Sequence, residues 1–247
     1  MGVLKGVILS LAPNVRIVDI SHLVPPQNIE AASHLLKRAY PYFPAGTVHL
    51  AVVDPGVGSS RSILAVAADG QFFVGPDNGI FTPVFLKAAS LAVHRVTASH
   101  LFLGSVGKTF HGRDIMAPIA AHLAAGLAAL GQVGPRIAVR DCLHLRHIEV
   151  IREGEILRGE ITYIDRFGNL CTSISKEDVA NFAAGREVIV RVADLSIPFC
   201  HSYADQDRGR LLALYDSHDR VEIAVNQGDA AQELDIAVGA PVCLSLR

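Results

Sequence analysis

The sequence predicts an α/β protein: an N-terminal layered α/β domain followed by a β-rich C-terminal domain. Between residues 16 and 96, apolar strand-like runs alternate with amphipathic helical ones, the pattern of a layered α/β structure. Beyond about Asp141 the helical periodicity largely stops and short β-like runs take over, the texture of a small barrel or sandwich. The chain has 247 residues, half of them apolar and 19% charged, enough to bury one large core or two smaller ones, and disorder is excluded as its main theme. The expected division is 1–140 and 141–247.

Residues 2–11 place Val3, Leu4, Val7, Ile8 and Leu11 at helical spacing. Residues 16–20 read as a short strand, after which Pro25-Pro26 forces an extended loop. Asn28 is positioned to cap a helix whose Ile29, Ala32, Leu35, Leu36 and Ala39 face one way, and Pro41 and Pro44 end it. Residues 47–53 have almost no polar interruption, as expected of a strand covered on both faces. Residues 63–74 divide around Asp69-Gly70, a dipeptide suited to a two-residue hairpin turn, and Gly75-Pro76-Asp77-Asn78-Gly79 follows as a polar loop with a turn-forming role. A helix is predicted over 114–130, with Asp114 near its positive end, Pro118 in its first turn, Ile115, Ile119, Leu123 and Leu127 as its buried stripe, and Gly131 as its stop. Strands are predicted at 156–164, 187–192, 211–214, 221–225 and 242–246.

Three segments carry candidate chemistry. Val53-Asp54-Pro55-Gly56-Val57-Gly58-Ser59-Ser60-Arg61 delivers an isolated carboxylate from an apolar strand into a glycine-rich loop that ends in an arginine. Thr109-Phe110-His111-Gly112-Arg113-Asp114 sets a histidine on the turn before a helix, beside a glycine that leaves space for a ligand. The competing account of that segment is helix capping by Asp114 with Arg113 as its ion-pair partner. Ile164-Asp165-Arg166-Phe167-Gly168-Asn169-Leu170 is a third polar loop, and its composition alone is that of a hairpin turn.

Other classes fit poorly. Gly104-Ser105-Val106-Gly107-Lys108-Thr109 looks like a phosphate-binding loop, yet Phe102 stands where that motif needs its first glycine, and the helix starts too late to aim at a phosphate. Asp141, His144 and His147 could be written as metal ligands, but the spacing is that of a solvated surface at a domain junction, and no metal is expected. Cys142, Cys171, Cys200 and Cys243 form no C-x-x-C pair and read as buried thiols. A formal charge of -2 gives no basic field, so nucleic acid is not an expected partner. No apolar run is long enough to cross a bilayer and the start lacks the regions of a signal peptide, so the expected location is cytoplasmic and no membrane partner is foreseen.

Residues 53–62, 74–79, 109–114 and 164–172, together with 204–231, resemble the S-adenosylmethionine hydroxide adenosyltransferase family, relatives of the fluorinase and chlorinase, in that family's order and over nearly the whole chain. The resemblance implies an N-terminal Rossmann-like α/β/α domain with a C-terminal β-barrel-like domain, and conversion of S-adenosylmethionine and water to adenosine and L-methionine, with no cofactor. It also implies a homotrimer that binds substrate between one subunit's N-terminal domain and its neighbour's C-terminal domain.

The family's catalytic triad falls on Asp54, Arg61 and His111. Asp165 and Asn169 match positions that hold the methionine end, Phe110, Ala224 and Asn226 the adenine side, and Gln27, Asn28 and Gly112 further substrate-binding positions. Where the halogenases carry an aromatic residue this chain has Asp54, whose carboxylate would repel a halide at short range. Family members begin with a strand and a Thr-Asp-Phe-Gly type turn ahead of the text that Gly2-Val3-Leu4-Lys5-Gly6 joins; the expectation is an internal codon taken as the start, with in-frame coding sequence for that strand upstream. Two other readings stay open: a catalytically silent module binding S-adenosylmethionine or adenosine, and adenosyl transfer to a halide.

Overall fold

The computed structural model describes residues 2–146 and 148–247, which form two compact units, Met1–Leu145 and Arg146–Arg247. In the first, helices α1 (Gly2–Leu11), α2 (Ile29–Ala39), α3 (Thr82–Lys87) and α4 (Ala117–Ala124) accompany strands β1 (Val48–Leu50), β2 (Ile63–Ala68), β3 (Gln71–Pro76), β4 (Leu91–Arg95) and β5 (Arg136–Ile137). The strands form one mixed sheet in the order β1-β3-β2-β4-β5, with β1 parallel to β3 and the other pairs antiparallel.

Local chemistry explains the mixture. Asp69 and Gly70 both adopt positive φ, +48° and +81°, so the chain reverses in two residues and β2 must pair antiparallel with β3. Side-chain alternation along β2 then builds two cores: Leu64, Val66 and Ala68 meet α2 and the Ile80–Phe85 region, while Ile63 and Ala65 meet Ile115, Met116, Ile119 and Leu123. Helices therefore cover both faces of the sheet. Asn28 caps α2 as expected, its Oδ1 accepting the Ala31 N–H at 2.8 Å. Helix α1 packs on α4 but none of its residues is fully buried.

Two predicted elements differ. Residues 16–20 form no strand, and Val18 and Ile20 are 59% and 39% exposed. The β-branched Ile17, Val18 and Ile20 supply β-propensity, but a strand exists only when a neighbour supplies its ladder bonds, and none does so among the described residues. The helix predicted over 114–130 instead opens with a π-helical turn, Gly112–Met116, runs into α4 and ends at Ala124, followed by Gly126 at φ +67°. Leu127 is consequently 62% exposed. Pro118 lies inside the continuous helical run and has no N–H for the Asp114 carbonyl four residues back; the Leu103 N–H takes that carbonyl at 2.9 Å.

The second unit contains β6 (Ile151–Glu153), β7 (Ile156–Ile164), β8 (Leu170–Ser175), α5 (Lys176–Ala183), β9 (Val188–Val192), β10 (Leu195–Ile197), β11 (Leu211–Tyr215), β12 (Arg220–Val225), α6 (Ala230–Leu234) and β13 (Pro241–Leu246). Its sheet runs β10-β9-β13-β7-β8-β12-β11, with β6 also on β7. Phe199, just past β10, bridges to Ala213 of β11 and so brings the two ends of the sheet together in a nearly closed barrel around Ile161, Leu170, Val190, Ile223 and Leu244. Each predicted strand of this half is present. Strand β8 and helix α5, capped by a reciprocal Ser175–Asp178 box, were not predicted.

No disulfide joins the four cysteines; Cys142 and Cys171 are buried, whereas Cys200 and Cys243 are half-exposed rather than buried as expected. No helix among the described residues is long and apolar enough to cross a membrane. Replacing Asn28 by alanine is expected to lower the stability of the first unit by about 1 kcal/mol in urea denaturation, the usual cost of a lost N-cap; an unchanged midpoint would show the cap to be idle.

Candidate active site

The acid and the arginine converge because their loop folds back on itself. Past β1 the last backbone bond to β3 runs from the Ala51 N–H to the Val74 carbonyl at 3.0 Å. Tight turns then follow: Val57 N–H to Asp54 O at 3.2 Å, Ser59 N–H to Gly56 O at 3.1 Å, and Arg61 N–H to Ser59 Oγ at 3.2 Å. This returns the Arg61 guanidinium to the Asp54 carboxylate, with Nε donating to Oδ1 at 2.9 Å and Nη2 to Oδ2. Both side chains are shielded, 6% exposed for Asp54 and 9% for Arg61.

The third member comes from 50 residues downstream, where His111 stands at the head of the π-helical turn with its Nδ1 3.1 Å from Arg61 Nη2. A guanidinium can only donate, so Nδ1 accepts and the ring proton sits on Nε2. Two close approaches make this meeting possible. Gly58 lies at φ +81° and a Cβ there would stand 2.8 Å from the Lys108 carbonyl, so the acid loop can lie directly against the 104–110 loop. A Cβ on Gly112 would meet Val52 Cγ1 at 2.8 Å, so the helical run can begin beside the end of the strand.

Asp114 braces the same region. It is fully buried, takes Arg113 Nε at 2.5 Å and Nη2 at 3.1 Å, and accepts the Gly107 N–H at 2.8 Å. The Arg113 hydrogen bond, aided by the Gly107 amide and the Arg113 charge, holds its carboxyl below the usual carboxylate range against the opposing effect of burial. The Gly107 amide that a phosphate would need is thus bonded to a carboxylate. Arg113 also lies over the ring of exposed Phe110, 4.9 Å from its centroid.

A cleft of about 390 Å³ opens beside Asp54, lined by Val24, Pro25, Pro26 and Gln27 on one side and by Val52, Val53, Asp54, Pro55 and Val57 on the other. Gln27 sits in it with a left-handed backbone, φ +67°. Asn28 next to it spends its side-chain oxygen on the α2 cap.

The candidates of the second unit are held in its own loops. Asp165 Oδ1 accepts the Phe167 and Asn169 N–H groups at 2.8 and 3.0 Å, and its Oδ2 accepts Asn169 Nδ2 at 3.2 Å, the turn chemistry that composition suggested. Ala224 is fully buried opposite Leu212 in the β11–β12 ladder, and Asn226 Nδ2 fastens the following loop by donating to the Gln206 carbonyl at 2.7 Å.

As for metals, His144 Nε2–H donates to the Val139 carbonyl at 3.2 Å, and His147 lies outside the described residues. Cys171, Asp216 and Glu222 bring ligand atoms within 4.8 Å of one another. Glu222 already takes the Tyr203 hydroxyl at 2.6 Å and the Cys171 thiol at 3.8 Å, and burial followed by that hydrogen bond pushes the Tyr203 phenol up. Asp216 Oδ1 accepts the His218 and Arg220 N–H groups.

Sequence reasoning gave no site role to Asp77 and Asn78. Asn78 Nδ2 donates to the Val53 carbonyl at 2.8 Å and the Asp77 N–H to the Ser62 carbonyl at 2.9 Å, immediately outside Asp54 and Arg61. Their turn-type composition concealed this; the signals were their place at the end of a strand and the family resemblance of residues 74–79.

Comparison with known proteins matches residues 1–134 to the SAM hydroxide adenosyltransferase N-terminal domain and residues 159–243 to the C-terminal domain of the same family. The chain belongs to the SAM hydroxide adenosyltransferase family. It is 38% identical to the (R)-S-adenosyl-L-methionine hydrolase of Thermus thermophilus, with 99% of this chain and 93% of that protein covered. Its identity to a Methanocaldococcus jannaschii protein of the same name is 31%, covering 96% and 87%. A Nocardia brasiliensis fluorinase is 26% identical over 96% and 89% of the two chains. The crystal structure of an uncharacterized conserved protein from Thermotoga maritima superimposes with a TM-score of 0.91 at 38% identity, covering 99% and 94%.

Asp114 gives a direct test of the bracing. A depressed folded pKa means that its contribution is fully present above the ordinary carboxylate pKa of about 4 and is lost as the pH falls through the folded value. Asp114→Asn is expected to cost about 1–3 kcal/mol at neutral pH and to flatten the acid limb of a melting-temperature profile; parallel profiles for the two proteins would refute it.

Proposed function

We propose that this protein hydrolyses S-adenosylmethionine to adenosine and L-methionine, with water attacking C5′. The observation that carries the reading is the shielded constellation in which one guanidinium holds both the Asp54 carboxylate and the His111 imidazole beside an open cleft. Relatives named (R)-S-adenosyl-L-methionine hydrolase, 31–38% identical over nearly the whole chain, support it.

In the proposed step the water oxygen bonds to C5′ as the C5′–S bond breaks and its electron pair returns to sulfur. The leaving group is the neutral thioether methionine, so no general acid is required, and the sulfonium is itself the activated group, so no cofactor is required. The site must hold a water in line and accept its proton. Arg61 occupies His111 Nδ1, which leaves an Nε2–H to donate to the water oxygen. Asp54 keeps lone pairs beyond those given to Arg61 and is the proton acceptor, oriented by the same guanidinium.

In the first unit we assign Gln27, Asn28 and Gly112 to the substrate pocket and Phe110 to its adenine side; in the second, Asp165 and Asn169 to the methionine end and the main chain around Ala224 and Asn226 to the adenine side, as presented by a neighbouring subunit. The acting species is inferred to be a cytoplasmic homotrimer. A carboxylate at Asp54 disfavours adenosyl transfer to a halide by charge repulsion, while a neutral water is unaffected.

Incubation with S-adenosylmethionine in oxygen-18 water should place one label in the 5′-hydroxyl of adenosine, and Asp54→Ala and His111→Ala should each lower kcat by about 100-fold or more. Intact substrate with measurable binding, or a halogenated nucleoside on adding halide, would overturn the reading. Full turnover in either variant would overturn the assignment of the triad.

A further inference from the structure

The loop that carries Asp54 and Arg61 is held at both ends by two consecutive residues. In the parallel β1–β3 ladder the Ala51 N–H bonds to the Val74 carbonyl, and the next donor on β3 toward the Ala51 carbonyl would be residue 76. That residue is Pro76, which has no N–H. Strand pairing stops there, and two residues later the Asn78 carboxamide reaches across in its place, Nδ2 donating to the Val53 carbonyl at 2.8 Å. The Asp77 N–H holds the far end of the loop at the Ser62 carbonyl, 2.9 Å away.

The carboxamide is itself fixed. Asn78 Oδ1 accepts the Ile80 N–H at 3.2 Å, its N–H bonds to the Pro76 carbonyl at 3.1 Å, and the Asp77 carboxylate accepts the Leu143 N–H at 2.8 Å. The Val53 carbonyl lies in the same peptide plane as the nitrogen and Cα of Asp54. A bond to that oxygen therefore sets the direction in which the Asp54 side chain leaves the backbone.

We infer that Asn78 is a positioning residue for the hydrolytic site: through the Val53 carbonyl it sets the peptide plane from which Asp54 meets Arg61. It touches neither the carboxylate nor the guanidinium. This rests on the function proposed above, because positioning matters to turnover only if Asp54 takes part in it.

Two variants isolate the donor. Asn78→Ser and Asn78→Asp both keep an oxygen for the Ile80 N–H, so the turn is retained; serine is too short to reach Val53, and aspartate offers an acceptor to a carbonyl. Both should lower kcat for S-adenosylmethionine hydrolysis by about 10–100-fold with KM changed by less than about 2-fold, the aspartate variant more severely. Amide hydrogen exchange at Val57 and Ser59, whose N–H groups close the loop's turns, should quicken in both variants while the β2–β3 hairpin stays as slow as in the parent protein.

The exchange measurement needs no activity. Should the parent protein fail to hydrolyse S-adenosylmethionine, the function falls while the tethering of the loop is still decided. Unchanged kcat, or unchanged exchange at Val57 and Ser59, would overturn the inference. So would exchange quickened throughout the hairpin with KM and kcat displaced together, the result of a merely structural role.

Discussion

The geometry of the site depends on one guanidinium. Arg61 spends Nε and Nη2 on the two oxygens of Asp54 and shares Nη2 with His111 Nδ1, so an acid and an imidazole 57 positions apart in the chain are referenced to a single rigid plane. A lysine could supply the charge but lacks the fixed fork that sets both partners at once. Because the arginine donates, it also selects the imidazole tautomer and leaves the ring proton on Nε2.

The fold serves this contact mainly through backbone approaches. Gly58 lets the acid loop touch the Lys108 carbonyl, Gly112 makes room for Val52, and Asp114 ties Gly107 to the start of the helical run that presents His111. Proline contributes by absence. Pro118 frees the Asp114 carbonyl for the Leu103 N–H, which fastens a second point of the neighbouring segment to the same turn.

The legible parts of this architecture were those fixed by local rules. Asp69-Gly70 announces its hairpin by conformation, Asn28 its cap by chemistry, and the barrel strands β7, β9, β11, β12 and β13 their places by short apolar runs. The converging triad was legible through family resemblance and through residue type; no local rule joins Asp54 to His111. The failures were those decided by partners. Residues 16–20 have strand-like β-branched residues and no ladder neighbour among the described residues, the helix past Ala124 yields to Gly126 before Gly131, and Asn78 looks like a turn residue until the carbonyl it reaches is known. Hydrogen bonds between segments distant in sequence leave no periodic trace.

Pro76 has a consequence for anyone who would rebuild this loop elsewhere. A strand end zipped one bond further would draw Val53 toward the sheet and narrow the space in which Asp54 and its cleft now sit. The single absent proton of an imino acid keeps the strands splayed, and a side-chain amide two residues on restores the support at a different angle. Grafting the acid, the arginine and the glycines onto another parallel strand pair would therefore carry the charged groups without the wedge that separates them from it; the transferable unit runs from the loop to the proline and asparagine at the end of the strand beside it.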